Sequence, residues 1–261
     1  DRQYRGPVPA VRALAESLNM PTVRMGMDVG PKKVARLFKS LGVTKAPQPL
    51  PSLLLGAVDL APMEVAQVYN SLGNGGFHAP LKAVRAVLDA DGKPLERYQL
   101  KINRAADPSA VAQLTASMLQ VVDRGTARGA RRWLPADLGV AGKTGTSDDL
   151  RDSWFAGFTN DHVVVVWVGA DDNSPTGLSG ASGALPIWAR LVAGFGDLGY
   201  EALPAEDLAD VSFDYATGMM ARAECGDLIS LPLPAGTVLP ARPDCIPESD
   251  NLTRRGIEWL K

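Results

Sequence analysis

The hydrophobic and polar positions along the chain predict five helices. Residues 9–19 have apolar side chains spaced as on one face of a helix, at Val11, Leu14, Ala15 and Leu18. Because the residue before a proline avoids the helical conformation, Pro21 predicts that this helix ends near Asn19 and exposes Ser17 on its last turn. Four further helices are predicted over residues 31–41, 62–72, 108–122 and 184–193.

Short runs bounded by polar turns predict strands. Three such runs follow one another at residues 142–146, 152–158 and 163–169. The polar turns between them are short, which predicts an antiparallel meander. The third run is almost wholly apolar and is therefore predicted to be the buried central strand. Residues 84–88 and 94–98 flank Asp91-Gly92, a dipeptide that favours a hairpin turn.

The first strand of the meander carries the sequence Lys143-Thr144-Gly145-Thr146. Side chains alternate along a strand, so the hydroxyls of Thr144 and Thr146 are expected on one face, where together they can hold a carboxylate. Lys143 adds a cation, and Gly145 lets another backbone approach. The tripeptide alone is also typical of solvated turns. On a strand, however, it predicts an edge that binds an extended peptide through its carboxylate.

Ser17-x-Asn19 and the tetrad at Lys143 are interpreted together as two motifs of one active site, of which Ser17-x-Asn19 is the second. Several longer segments belong to the same pattern. The segments are residues 13–23, 54–66, 75–81, 121–126, 143–157 and 180–184. With them, residues 1–197 resemble the transpeptidase region of class A, bifunctional penicillin-binding proteins, most closely the 1B type. The resemblance implies an α/β (α+β) transpeptidase fold of the penicillin-binding and serine β-lactamase kind. An antiparallel sheet flanked by helices is expected, truncated at its N-terminus.

The resemblance also implies roles for individual residues. Ser17 is expected to relay a proton to the leaving nitrogen, Asn19 to bind the substrate amide, and Lys143 to supply positive potential. Thr144 and Thr146 are expected to hold the substrate carboxylate, with Gly145 between them. The backbone N–H of Thr146 is expected to form half of an oxyanion hole.

A second segment with an expected binding role is Arg124-Gly125-Thr126. It is interpreted as a wall of the cleft that meets an anionic glycan-peptide strand. The alternative is that its arginine belongs to a solvated loop. Both interpretations stay open at the level of the sequence.

The family's nucleophile motif, Ser-x-x-Lys, does not occur in the chain, because no serine is followed by lysine three residues later. The simplest interpretation is a piece of a D,D-transpeptidase whose nucleophile lies outside this chain, and such a piece is expected to be inactive alone. One alternative is a catalytically dead scaffold or binding protein. Another, a soluble serine β-lactamase or carboxypeptidase, is disfavoured because the long class A-like segments have no place in it.

Residues 198–261 differ in composition from the rest of the chain, because proline is frequent there. They are predicted to form a small C-terminal module, rich in strands and turns. This module contains the only two cysteines, Cys225 and Cys245. Since peptidoglycan is cross-linked outside the cytoplasm, the resemblance favours a disulfide between them. Two inert buried thiols are the alternative.

Composition limits the partners. Apolar residues make up 46% of the chain, and the net charge is only −2. The chain therefore lacks the excess of positive charge that is typical of proteins that bind nucleic acids or acidic membranes. His78 and His162 lie far apart without clustered ligands, so no metal and no cofactor are predicted. The expected partners are peptidoglycan stem peptides, β-lactams and other cell-wall synthesis proteins. The expected location is the periplasmic face of the bacterial inner membrane, through an anchor outside this chain.

Overall fold

The structure is a computed structural model, and it describes residues 5–203 and 205–245. The helices of this part of the chain are α1 (Ala10–Ala15), α2 (Asn19–Val29), α3 (Pro31–Ser40), α4 (Pro62–Gly73), α5 (Pro108–Asp123) and α6 (Ala184–Ala193). The strands are β1 (Phe77–His78), β2 (Ala86–Leu88), β3 (Pro94–Arg97), β4 (Asn103–Arg104), β5 (Ala141–Thr146), β6 (Ser153–Phe158), β7 (Val163–Val168), β8 (Leu208–Asp214) and β9 (Leu228–Pro234).

Four of the five predicted helices are confirmed as α3 to α6, and the predicted hairpin is confirmed as β2 and β3. The agreement has a local cause, since α3, α4 and α5 each begin with a proline. Its fixed φ suits the first helical turn, and its missing N–H is not needed there. Asp107 adds a cap to α5, because its carboxylate accepts a hydrogen bond from the N–H of Ala110 at 3.1 Å.

The first helix differs from the prediction. It ends at Ala15 rather than near Asn19, and a second helix, α2, begins at Asn19. The break lies at Ser17, which has a left-handed backbone with φ of 56°. Pro21 is the third residue of α2, where the N–H that it lacks has no partner within a helix. The proline therefore helps to begin a helix here instead of marking the end of one.

The meander is confirmed, but its strand order corrects one expectation. Strands β5, β6 and β7 pair antiparallel in that order, so β6 is central and the prediction that the third run is central is wrong. Among the described residues, β7 pairs only with β6 and forms an edge. β7 is nevertheless apolar because the helices α4 and α6 pack against it. The indole N–H of Trp188 also donates to the carbonyl of Val164 at 2.9 Å.

Both faces of β6 are buried, and aromatic side chains fill the core on each side. Phe155 packs edge-on against Trp188 at 4.9 Å between ring centroids, together with the C-terminal part of α5. Phe158 makes the same kind of contact with Tyr200 at 4.9 Å, beside α4 and α5. Such edge-to-face pairs contribute about 1 kcal/mol each beyond the area that they bury. The sheet is thereby fixed between two helical layers, with β5 at one edge.

The last described elements form a hairpin of their own. Strands β8 and β9 pair antiparallel, and Cys225 and Cys245 form a disulfide with Cα atoms 5.9 Å apart. The structure thus joins the two cysteines that the sequence analysis paired. Tyr200 still packs in the core of the main sheet. The division after residue 197 stays a prediction, and residues 204 and 246–261 of the predicted module lie outside the described residues.

Candidate active site

The ammonium group of Lys143 lies at the centre of the candidate site. Its Nζ donates a hydrogen bond to Oγ of Ser17 at 2.9 Å, although the two residues are 126 positions apart in the sequence. It also donates to the carbonyl of Thr144 at 3.0 Å. Burial lowers the pKa of Lys143 to about 8. A cation that releases its proton more readily than usual therefore contacts an exposed serine hydroxyl.

Ser17 reaches Lys143 because the chain turns sharply at the end of α1. The left-handed backbone at Ser17 follows a hydrogen bond from the N–H of Leu18 to the carbonyl of Ala13 at 2.8 Å. A non-glycine residue in this region is uncommon and is held there by its surroundings. Ser17 is thus fixed by the backbone of the turn, and Asn19 is exposed at the first position of α2.

The loop after α5 holds the end of α1 in place. The N–H of Thr126 donates to the carbonyl of Ala15 at 3.0 Å. Gly125 makes this approach possible, because a Cβ at position 125 would lie 2.1 Å from the oxygen of Ala15. Gly125 and Thr126, both predicted to bind substrate, therefore contact the helix end that carries Ser17.

The two threonines of the tetrad have different partners. The hydroxyls of Thr144 and Thr126 are 2.6 Å apart and share a hydrogen bond. The hydroxyl of Thr146 accepts a hydrogen bond from the N–H of Gly180 at 2.9 Å. The hydroxyl of Thr146 keeps its proton to donate, and the pair of Thr126 and Thr144 keeps one proton between its two hydroxyls, so this strand edge retains two hydroxyl donors for an anion.

Gly180 was not predicted as a site residue. A Cβ there would lie 2.6 Å from the carbonyl oxygens of both Gly145 and Trp154, so only glycine lets this segment cover β5. The hydroxyl of Ser153 fixes the same segment by donating to the carbonyl of Ser179 at 2.7 Å. The glycines at 180 and 183 were the available signal, but a sequence does not show which backbone approaches them.

Arg124 points towards the C-terminal hairpin. Its guanidinium pairs with Asp227, donates to Oε1 of Gln120 at 3.0 Å and lies 5.7 Å from the ring centre of Tyr215. Its predicted contact with substrate stays a prediction.

Taken together, the site offers a cation beside a hydroxyl, two further hydroxyls on a strand edge, and the strand's own N–H groups. Such groups suit an anionic ligand and proton transfer at an adjacent atom. No group of histidine, cysteine and carboxylate side chains able to hold a metal ion occurs within residues 5–203 and 205–245.

Comparison with models of protein families shows the family to which the sequence belongs. Residues 1–191 match the model of the penicillin-binding protein transpeptidase domain. The chain belongs to this family. Ser17-x-Asn19 and the Lys143 tetrad are, in that order, the second and third signature motifs on which the sequence resemblance was based.

Curated penicillin-binding proteins 1B are similar to this transpeptidase-domain chain. It is 46% identical over 194 residues to penicillin-binding protein 1B of Vibrio cholerae, covering 73% of the chain and 24% of that protein. It is 44% identical over 219 residues to penicillin-binding protein 1B of Escherichia coli K12, covering 82% of the chain and 26% of that protein. The chain thus spans about a quarter of the length of these relatives.

Solved structures show the same fold. The crystal structure of penicillin-binding protein 1A from Haemophilus influenzae matches with a TM-score of 0.78 and 22% identity, over 92% of the chain and 42% of that structure. PonA1 of Mycobacterium tuberculosis in complex with penicillin V matches with a TM-score of 0.64 and 23% identity, over 77% of the chain and 60% of that structure. The expected transpeptidase fold is therefore confirmed.

None of the helices within the described residues combines the length and the hydrophobicity that crossing a membrane requires.

Proposed function

We propose that the chain is part of a peptidoglycan D,D-transpeptidase, with its serine nucleophile in a segment outside this chain. The observation that carries the proposal is the contact of 2.9 Å between Nζ of Lys143 and Oγ of Ser17, next to the threonines of β5. Family membership and the relatives named penicillin-binding protein 1B support it.

In the proposed reaction, the external serine attacks the penultimate D-Ala carbonyl of a stem peptide. An ester forms between that serine and the peptide, and the C-terminal D-Ala leaves after gaining a proton at its nitrogen. An amine of a second stem then attacks the ester, forms the cross-linking amide and releases the serine. This chain supplies the groups that bind the substrate and move the protons.

Ser17 relays a proton through its hydroxyl to the departing nitrogen. The ammonium of Lys143 donates to that hydroxyl, and its charge favours this movement and attracts the substrate carboxylate. Thr144 and Thr146 bind the carboxylate, and Asn19 binds the substrate amide. The N–H of Thr146 donates to the developing oxyanion, a contact worth about 3 kcal/mol in comparable sites.

β-Lactams carry a carboxylate and a reactive carbonyl, so the same groups are proposed to bind them. Gly145 is proposed to lie along the extended substrate between Thr144 and Thr146, and Arg124, Gly125 and Thr126 are proposed to border the cleft. Stem peptides and other cell-wall synthesis proteins are the proposed partners. The periplasmic face of the inner membrane is the proposed location.

The absence of Ser-x-x-Lys from the chain is also compatible with a second candidate, a scaffold that keeps the carboxylate site without acylation. A longer protein that carries this chain behind a Ser-x-x-Lys segment separates the two. The assay measures D-Ala release from a pentapeptide stem. Ser17→Ala is expected to slow release about 100-fold or more, because a relay of this kind contributes that much.

The matched control is Ser52→Ala, which removes the hydroxyl of an exposed serine in the turn Pro51–Leu55. It is expected to release D-Ala at the unaltered rate. Binding of the stem peptide without any D-Ala release by the longer protein would support the scaffold and contradict the transpeptidase.

A further inference from the structure

The C-terminal hairpin covers the groove between the two helices that end at the candidate site. Phe213 of β8 and Ile229 and Leu231 of β9 are buried against Val11 of α1 and Ala116 of α5. The hairpin therefore does more than extend from the domain, because part of its apolar core consists of α1 and α5. A displacement of the hairpin would uncover these apolar residues of both helices.

Three polar contacts join the hairpin to the C-terminal parts of the same helices, which lie nearest the candidate site. Asp227 forms an ion pair with Arg124, which directly follows α5. Tyr215 lies beneath the guanidinium of Arg124, with 5.7 Å between Cζ and the ring centre. Near the end of α1, a guanidinium nitrogen of Arg12 donates to the carbonyl of Ala216 at 3.3 Å.

These helix ends lead directly to the groups of the site. Thr126 follows Arg124 by two residues, and its hydroxyl shares a hydrogen bond of 2.6 Å with that of Thr144. Its N–H donates to the carbonyl of Ala15 at 3.0 Å, two residues before Ser17. A short path of contacts thus runs from Asp227 through Arg124 and Thr126 to both Thr144 and the turn at Ser17.

The hairpin holds Asp227 firmly enough to act in this way. The disulfide begins at Cys225, two residues earlier, and the guanidinium of Arg242 donates to the carbonyl of Cys225 at 2.6 Å. The N–H of Tyr215 donates to the carbonyl of Asp227 at 2.9 Å. The backbone on both sides of Asp227 is therefore tied to the rest of the hairpin.

We infer that Asp227 is a positioning residue for the proposed acylation. By pairing with Arg124 it fixes the loop of Gly125 and Thr126, which in turn fixes Ser17 relative to Lys143. Asp227 acts through the loop and does not contact substrate. The expected effect of Asp227 on the acylation rate rests on the proposed function. Its expected effect on the loop of Gly125 and Thr126 does not.

The effect on the loop is tested in the 261-residue chain by amide hydrogen exchange, which needs no activity. Asp227→Asn removes the charge and keeps the shape, and it is expected to speed exchange of the Thr126 and Leu18 amides about 3- to 5-fold. The modest size follows from the exposure of the pair, 31% for the Arg124 side chain and 62% for that of Asp227. Amides of β6 are expected to be unchanged.

Two variants keep this test decisive. Asp227→Glu retains the carboxylate and is expected to preserve the slow exchange of the Thr126 amide. Asp210→Asn neutralises an exposed carboxylate on β8, away from the path of contacts, and is expected to behave like the unaltered chain. Unchanged exchange at Thr126 and Leu18 in Asp227→Asn, or an equal increase throughout β6, would overturn the inference.

The effect on the rate is tested in the longer protein with a fluorescent penicillin. Asp227→Asn is expected to lower the acylation rate constant about 3- to 5-fold with little change in the binding constant, and Asp227→Glu to restore the rate. If the longer protein without any substitution is not acylated, the proposed function is refuted, and the hydrogen-exchange result alone decides the inference. Acylation of Asp227→Asn at the unaltered rate would overturn the inference alone.

Discussion

Gly125→Ala is the substitution whose effect follows most directly from the backbone geometry. The new Cβ would lie 2.1 Å from the oxygen of Ala15 and 2.7 Å from its carbonyl carbon. Both are backbone atoms, so no side chain can rotate to relieve the contact. The end of α1 must retreat from the loop by about 1.3 Å before the oxygen reaches the 3.4 Å at which ordinary contact begins.

The cost has two parts. Overpacking of this kind destabilises a fold by about 1–3 kcal/mol. The retreat also breaks the hydrogen bond of 3.0 Å from the N–H of Thr126 to the carbonyl of Ala15, which contributes about 1 kcal/mol. We therefore expect a loss of about 3 kcal/mol, which corresponds to a fall in melting temperature of about 6–12 °C for a chain of this size.

The acylation rate is expected to fall by more than the loss of folding stability alone would cause. Ser17 lies two residues beyond Ala15 and moves with it, which breaks the contact of 2.9 Å with Nζ of Lys143. A misplacement of about 1 Å at a reacting group can lower a rate about 100-fold. In the longer protein, Gly125→Ala is thus expected to acylate with a fluorescent penicillin about 100-fold more slowly, measured well below its melting temperature.

Gly129→Ala is the matched control, four residues further along. Its Cβ would meet only Cδ2 of Leu185, at 3.8 Å, which is an ordinary contact. We expect a change in stability within about 0.5 kcal/mol and no change in acylation. If Gly125→Ala melts and acylates like Gly129→Ala, the reasoning that Gly125 positions Ser17 is refuted.

Three further predictions concern the cation, the tetrad and the disulfide. Because the pKa of Lys143 falls from 10.5 to about 8 on folding, the unfolded chain binds more protons between these values. The contribution of Lys143 to the unfolding free energy should therefore rise from about pH 8 to about 10.5, and urea titrations of Lys143→Met should lack this rise. In the longer protein, Lys143→Ala should slow acylation at least about tenfold more than Thr126→Ala, since only Lys143 supplies charge; equal rates would mean that the role of β5 is misassigned. Non-reducing peptide mapping of periplasm-expressed protein should recover Cys225 joined to Cys245, and reduction should speed amide exchange in β8 and β9 more than in β6; two free thiols would contradict this.

The sequence predicted those elements whose cause is local. Helices α3, α4 and α5 begin with a proline, and the strands of the meander are separated by short polar turns, so their bounds followed from neighbouring residues. The tetrad at Lys143 was predicted as a strand for the same reason. The disulfide pairing needed only the count of cysteines and the expected location.

The features that sequence analysis missed depend on contacts between distant residues. The end of α1 at Ala15 follows from the turn at Ser17 and its contact with the loop at Thr126, more than 100 positions away. The position of β7 at the sheet edge depends on which strands pair, which apolar character alone does not reveal. The partner of Arg124 is Asp227, 103 positions later.

We propose that this chain completes a serine acyl-enzyme whose nucleophile lies outside it. Intact-mass analysis after incubation with penicillin tests the claim most directly, because a covalent adduct adds the whole mass of the drug. We predict no adduct on the 261-residue chain, and a single penicilloyl adduct on the longer protein that carries a Ser-x-x-Lys segment before it. An adduct on the chain alone, or none on the longer protein, would contradict the account.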